Sequence, residues 1–144
     1  MDFEPTLTQA IVFSDSVIRE HGSNKLSLIG TFHQFNVPRF PFQAPPFFIT
    51  VFLTNIRGKL EQYKISVRIE EKASGYVVAS AAAELNSPNE VKSTETIQIP
   101  FGIFMSQFPS AGLYNVVALA QNESIGSRDL VVNSISAIPN LPNT

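Results

Sequence analysis

Cysteine and tryptophan are absent from this 144-residue chain, histidine occurs twice, and charged residues make up 15% of it. Each scarcity removes a class of chemistry. Without cysteine there is no disulfide framework, no thiolate nucleophile and no cysteine-ligated zinc. His21 and His33 are the only imidazoles, and nothing near either supplies the spacing of a structural metal centre. The three aspartates, Asp2, Asp15 and Asp129, lie far apart with no Asp-x-Asp pair. The roughly six to eight oxygens that surround calcium therefore have no local source. With no tryptophan, and with Tyr63 and Tyr114 on apolar positions, a stacking platform for sugars is lacking. No cofactor or metal is expected.

Charge is scarce and also dispersed. Ten basic and twelve acidic residues give a net charge of −2, scattered singly and without a basic stripe. Nucleic acid and anionic membrane surfaces are therefore not expected partners. No run approaches the roughly 18 apolar residues of a membrane-spanning helix. Met1-Asp2-Phe3-Glu4-Pro5 is acidic and lacks the basic-then-apolar order of a signal peptide, so the expected address is cytoplasmic. The Asn122-Glu123-Ser124 sequon is then a chance match.

What the chain does contain is alternation. Tyr63, Ile65, Val67 and Ile69 interleave with Lys64, Ser66, Arg68 and Glu70, the pattern of a half-exposed strand. Strands are also read at Gln9–Arg19, from Lys25 on, at Phe47–Ile56, Tyr76–Leu85, Thr94–Phe104, Leu113–Gln121 and Ser124–Asn133. Phe47–Ile56 is bulky on both parities, which suits a central strand. Tyr76–Leu85 is rich in alanine, a weak strand former, so something other than intrinsic preference must hold it extended, and a helix is the local alternative. Pro100 suggests an edge position or a bulge, and Phe104–Ala111 reads as a short 3₁₀ turn or irregular corner.

Seven or eight strands with no long amphipathic helix predict an all-β fold, a two-sheet antiparallel sandwich of immunoglobulin-like type. One domain over residues 1–133 and a flexible tail over 134–144 are expected. Gly112-Leu113-Tyr114 entering a late strand matches the corner tyrosine of such sandwiches, whose hydroxyl ties a loop back to the strand.

The stretch Lys25–Val37 breaks its own pattern. Leu26, Leu28 and Phe32 share one parity, whereas Phe35 and Val37 take the other, with Gly30 between. One face collects both sets only through a bulge or a change of sheet. Leu26, Leu28 and Phe32 are expected in the core, with Phe35 opening a hydrophobic plug at its end. No second glycine and no helix follow Gly30, which removes an anion-cradling role.

Pro38, Pro41, Pro45 and Pro46 crowd the next connection beside Phe40 and Phe42. Proline removes ladder donors and fixes φ, so this segment is a stiff connection. Its rings either plug the open end of the sandwich or stay exposed as a contact patch. Phe40, Phe42 and Phe47 are accordingly the candidate partner-binding residues. Asp15, His21 and a nearby serine could in principle form a small hydrolase triad, or the serines could simply bond local backbone. No glycine-flanked nucleophile elbow accompanies them.

Ser14-Asp15, the run Asn24-Lys25-Leu26-Ser27-Leu28-Ile29-Gly30, Phe40-Pro41 and Gly112-Leu113-Tyr114 together resemble an uncharacterised bacterial family of small β-sandwich proteins, a domain of unknown function. The likeness covers roughly residues 8–133. It implies an immunoglobulin-like fold and no catalytic residues. The expected function is a non-catalytic protein-binding or assembly module that meets a protein partner or a second copy of itself. A phage or surface structural module is the other non-enzymatic reading.

Overall fold

The computed structural model describes residues 6–54, 59–87, 89–92 and 94–135. Eleven strands and no helix occur among them: β1 (Thr6–Arg19), β2 (Leu26–Phe32), β3 (Gln34–Val37), β4 (Phe42–Gln43), β5 (Phe47–Thr54), β6 (Tyr63–Glu71), β7 (Val77–Leu85), β8 (Ile97–Ile103), β9 (Gln107–Phe108), β10 (Gly112–Ala120) and β11 (Glu123–Ser134). They form a four-stranded sheet in the order β2-β1-β5-β8, a five-stranded sheet in the order β3-β11-β10-β6-β7, and a small ribbon of β4 and β9. The count exceeds the seven or eight expected because Lys25–Val37 splits in two and the Pro38–Phe108 region adds two short strands. One pairing departs from the expected antiparallel rule: β3 runs parallel to β11, with Val132 beside Phe35.

The parity flip resolves as a change of sheet. β2 pairs with β1 in the four-stranded sheet, the chain turns at His33, and β3 pairs with β11 in the five-stranded one. Phe32 and Phe35 therefore reach the same interior from two sheets, with ring centroids 5.0 Å apart. Gly30 is left-handed at φ +70°, and a Cβ there would lie 2.4 Å from Asp15 Oδ2. Glycine is required because Asp15 folds directly over it.

Strand pairing explains one misplaced expectation. β1 pairs with β5 only up to Ser14, whereas its pairing with β2 continues to Arg19. The outer half of the β1–β2 hairpin thus extends beyond the shared part of the sheet. Phe32 packs on the core as expected, but Leu26 and Leu28 lie on this extension, half-buried and outside the central cluster.

Both large sheets contribute to one hydrophobic cluster. Ile11, Phe13, Ile49, Val51, Leu53, Ile99 and Phe101 come from the first, and Ile65, Val67, Ile69, Tyr114, Val116, Ala118 and Leu130 from the second. Period-2 alternation makes this possible, since each strand sends every second side chain inward. β5 is central, between β1 and β8, and β8 is an edge, which accommodates Pro100. Gln121 and Asn122 both take positive φ, 51° and 69°, between β10 and β11. That is the two-residue turn whose twist suits a hairpin, one residue earlier than read. Ser134 closes β11, and the Ile135 N–H donates to the Val37 carbonyl at 3.0 Å. The rest of the expected tail, residues 136–144, lies outside the described ones.

Candidate functional site

The Pro-Phe connection delivers its rings to one end of the core. Phe35 sits 5.4 Å from Phe42, 5.5 Å from Phe47 and 5.7 Å from Phe108, all centroid to centroid. Phe108 in turn meets Tyr114 edge-on at 5.0 Å. Offset and edge-to-face contacts of this kind add to the burial of each ring. The ribbon sets them: Phe42 is opposite Phe108, and Ala44 N–H donates to the Ser106 carbonyl at 3.0 Å. Gln107–Phe108 is thus a strand, where an irregular corner was expected, because it pairs with the folded-back connection. The Tyr114 hydroxyl donates to the Ser110 carbonyl at 2.6 Å, tying the strand to the loop before it as the Gly-x-Tyr pattern suggested.

This array holds all three candidate contact residues. Phe47 is 1% exposed, so its ring is closed to any partner. Phe40 and Phe42 are half-buried and pack against the core. The three pack as the plug, with Phe40 and Phe42 partly open to the surface.

Exposed apolar area lies beside the plug. Seven large apolar side chains are exposed among the described residues, and five of them, Tyr76, Val77, Phe104, Met105 and Leu113, fall at this end. The registers place them there: Ile103 is opposite Phe47, Val77 opposite Glu70, and Tyr114 opposite Glu71. Phe104 and Met105 are the most open, at 64% and 80%. The Phe104 ring folds back over Gly102, where a Cβ would lie 2.6 Å from it, and meets Phe48 edge-on at 6.1 Å. A glycine on the outward parity of a strand, followed by Phe-Met, was the available sequence signal for this patch.

The triad drawn on paper does not assemble. Asp15 lies within β1, and Arg19 ends that strand, about 13 Å further along at ~3.3 Å per residue. His21 sits beyond it in the turn before Asn24. The Ser14 hydroxyl is buried and donates to the Ser16 carbonyl at 3.2 Å, the local bonding such serines commonly make. No group of three His, Asp or Glu among the described residues is placed to hold a metal ion.

Arg128 is the charged residue that pattern reading overlooked. It reaches from β11 to β1, where its guanidinium donates to the Ile11 carbonyl and lies 4.6 Å from the Phe13 ring centroid. A cation over an aromatic face is attractive and here links the two sheets. Thr31, Phe32, His33 and Val12 complete a shallow depression beside it.

The chain belongs to a family of unknown function, DUF6941, whose pattern spans residues 9–133. No curated protein matches it. Among solved structures, an alkylpurine DNA glycosylase, AlkC of Pseudomonas fluorescens bound to DNA containing an abasic site analog, is 13% identical with a TM-score of 0.46. That match covers 71% of this chain and 28% of the glycosylase chain. A β-glucosidase from Listeria innocua in complex with isofagomine is 14% identical with a TM-score of 0.44, over 94% of this chain and 17% of the glucosidase. The chain spans under a third of either protein, and likenesses this distant carry neither activity over to it.

Proposed function

We propose that the chain is a non-catalytic protein-binding module that meets a protein partner through the plugged end of its fold. The observation that carries this reading is the exposure of Phe104 and Met105 beside the buried ring array, with Tyr76, Val77 and Leu113 exposed at the same end on and beside strands of the other large sheet. Exposed apolar area on a folded surface commonly marks a contact site. The plug beneath keeps that end rigid, which limits the ordering cost of binding.

The finer fold assignment belongs to the same reading. We take the two large sheets as the layers of an immunoglobulin-like sandwich. The parallel β3–β11 pair, the switch of one strand between sheets, and the Tyr114–Ser110 tie support it. β1, inserted between β2 and β5, is then an addition to the usual order.

A photo-crosslinking residue in place of Phe104, expressed in the native host, tests the binding reading. A discrete adduct of one protein, abolished by M105S, is the expected result. Crosslinking indistinguishable from that of the same probe at exposed Asn122 would overturn it.

A further inference from the structure

Four strands end the two large sheets, and three of them carry features that discourage further pairing. β8 contains Pro100 and Gly102, β2 is interrupted by left-handed Gly30, and β3 is only four residues long before Pro38. Proline, irregular backbone and short length are the usual ways a protein blunts a sheet edge. β7 has none of them over residues 79–85, its one irregularity being the register shift between Val77 and Ala79. Its nine residues, Val77–Leu85, contain no proline, glycine or lysine, and Glu84 is their single charge. Among the described strands it pairs only with β6, so alternate N–H and C=O groups face outward along its far side.

We propose that β7 is a self-association edge. A second copy of this chain adds its own β7 antiparallel, with the two-fold axis at Ala82, so that the two five-stranded sheets become one. The inference goes beyond the contact proposed at the plugged end, since it concerns a sheet edge and a second copy of the chain.

Charge selects both the occupant and the register. On the outward face, Arg68 is opposite Ser80, Ser66 opposite Ala82, and Lys64 opposite Glu84. With the axis at Ala82, Ser80 faces Glu84 of the second copy. One row across the joined sheet then reads Arg68, Ser80, the second copy's Glu84, the second copy's Lys64, and the two-fold repeats it. Each carboxylate lies between two cations, and short Ser80 leaves room for the long side chains to meet above it. Arg68 already donates through Nε to Glu70, and its terminal nitrogens carry further N–H donors for a second carboxylate.

Neighbouring registers lose this arrangement. An axis at Ala81 sets Glu84 opposite Val78, next to the pairing that contains Glu70. An axis at Ala83 sets it opposite Ala82, in a row with Ser66 and no second cation. The surface also has a place for the incoming side chain: a shallow depression of about 400 Å³ lined by Ser66, Arg68, Ser80 and Ala82. A heterologous strand would satisfy the backbone equally well, but the charge row is complete when the added strand brings Glu84 and Lys64 in this order.

Sedimentation equilibrium over roughly micromolar to millimolar concentration tests the association. The expected result is a mass rising from 15.8 kDa towards twice that value. E84R and R68E each weaken the dimer about tenfold or more, and the double swap restores most of the loss. Register is read separately by disulfide trapping, which the cysteine-free background makes clean. Directly opposed residues fall within disulfide reach. A82C therefore traps itself rapidly, S80C and E84C alone trap slowly, and a mixture of S80C with E84C traps the heterodimer.

A chain that stays monomeric throughout overturns the proposal, as does a dimer in which A82C traps no faster than S80C alone. A monomer that still gives the Phe104 adduct refutes the β7 edge and leaves the binding module standing. A trapped dimer without that adduct does the reverse.

Discussion

Phe47 and Phe48 are neighbours in sequence and opposites in role. Phe47 points into the ring array with Phe32 and Phe35 at 5.7 and 5.5 Å and is fully buried. Phe48 points out of the same strand and carries the exposed ring of Phe104. Both regions are rich in phenylalanine and both lie at the same end of the fold. The difference is that the inward face has a second sheet opposite it, whereas the outward face has none among the described residues. Aromatic content thus marks where apolar area accumulates, and strand parity together with sheet position decides whether it is core or surface.

The sharpest way to break the comparison is to remove a ring from the buried side. F108A takes a fully buried phenylalanine from between Phe42, Phe35 and Tyr114. A loss of about 3–5 kcal/mol is expected in urea unfolding. A smaller loss, of about 1–3 kcal/mol, is expected for G30A, which forces a Cβ into a left-handed residue and against the Asp15 carboxylate. D15A should recover part of that loss in the double variant, because it removes the clash and leaves the backbone strain. Additivity of the two single changes would exclude Asp15 from the cost.

Much of this architecture was legible because alternation is a local signal. The inward set of β6, Tyr63, Ile65, Val67 and Ile69, could be read directly, and so could the corner role of Tyr114 and the edge position implied by Pro100. The flip between Phe32 and Phe35 announced a discontinuity, and a bulge and a change of sheet fit it equally well, because only tertiary pairing distinguishes them. Phe40, Phe42 and Phe47 were recognised as plug or patch for the same reason: their surroundings are set by β9, some sixty residues away in sequence. Arg128 gave no pattern at all. Its partners, Phe13 and the Ile11 carbonyl, lie more than a hundred residues upstream, and no spacing rule encodes such a contact.

Two milder changes probe the rim of the plug. Y114F deletes the hydroxyl that holds the Ser110 carbonyl and leaves the ring in place. The expected cost is about 1 kcal/mol, the net worth of an ordinary hydrogen bond. Tyr63, at the opposite end of β6 from Glu71, has its phenol raised above the ordinary value of 10.0 by burial, with the Glu123 carboxylate adding to the effect. The folded state therefore holds this proton more tightly than the unfolded chain does. The stability that results is fully present below pH 10 and is lost as the pH rises through the folded-state pKa. Y63F should flatten that alkaline limb, and E123Q should reduce it by less. An unchanged alkaline limb in Y63F would assign the loss to other groups.

The smallest expected effect on stability separates the two aromatic regions most cleanly. Phe104 is 64% exposed, and apart from its edge contact with Phe48 it lies over the backbone of Gly102. F104S removes little area that folding had buried, so its unfolding midpoint should shift by no more than about 0.5 kcal/mol equivalent. F104S also makes the surface more polar, so solubility should not fall. In the same variant, binding to a partner captured at this end should drop by tenfold or more, since truncating an aromatic anchor at the centre of a contact removes a large share of its energy. Stability lost together with binding would mean that Phe104 belongs to the plug. Binding lost with stability intact would mean that the strand carrying Phe48 divides this end of the molecule into a structural face and a recognition face.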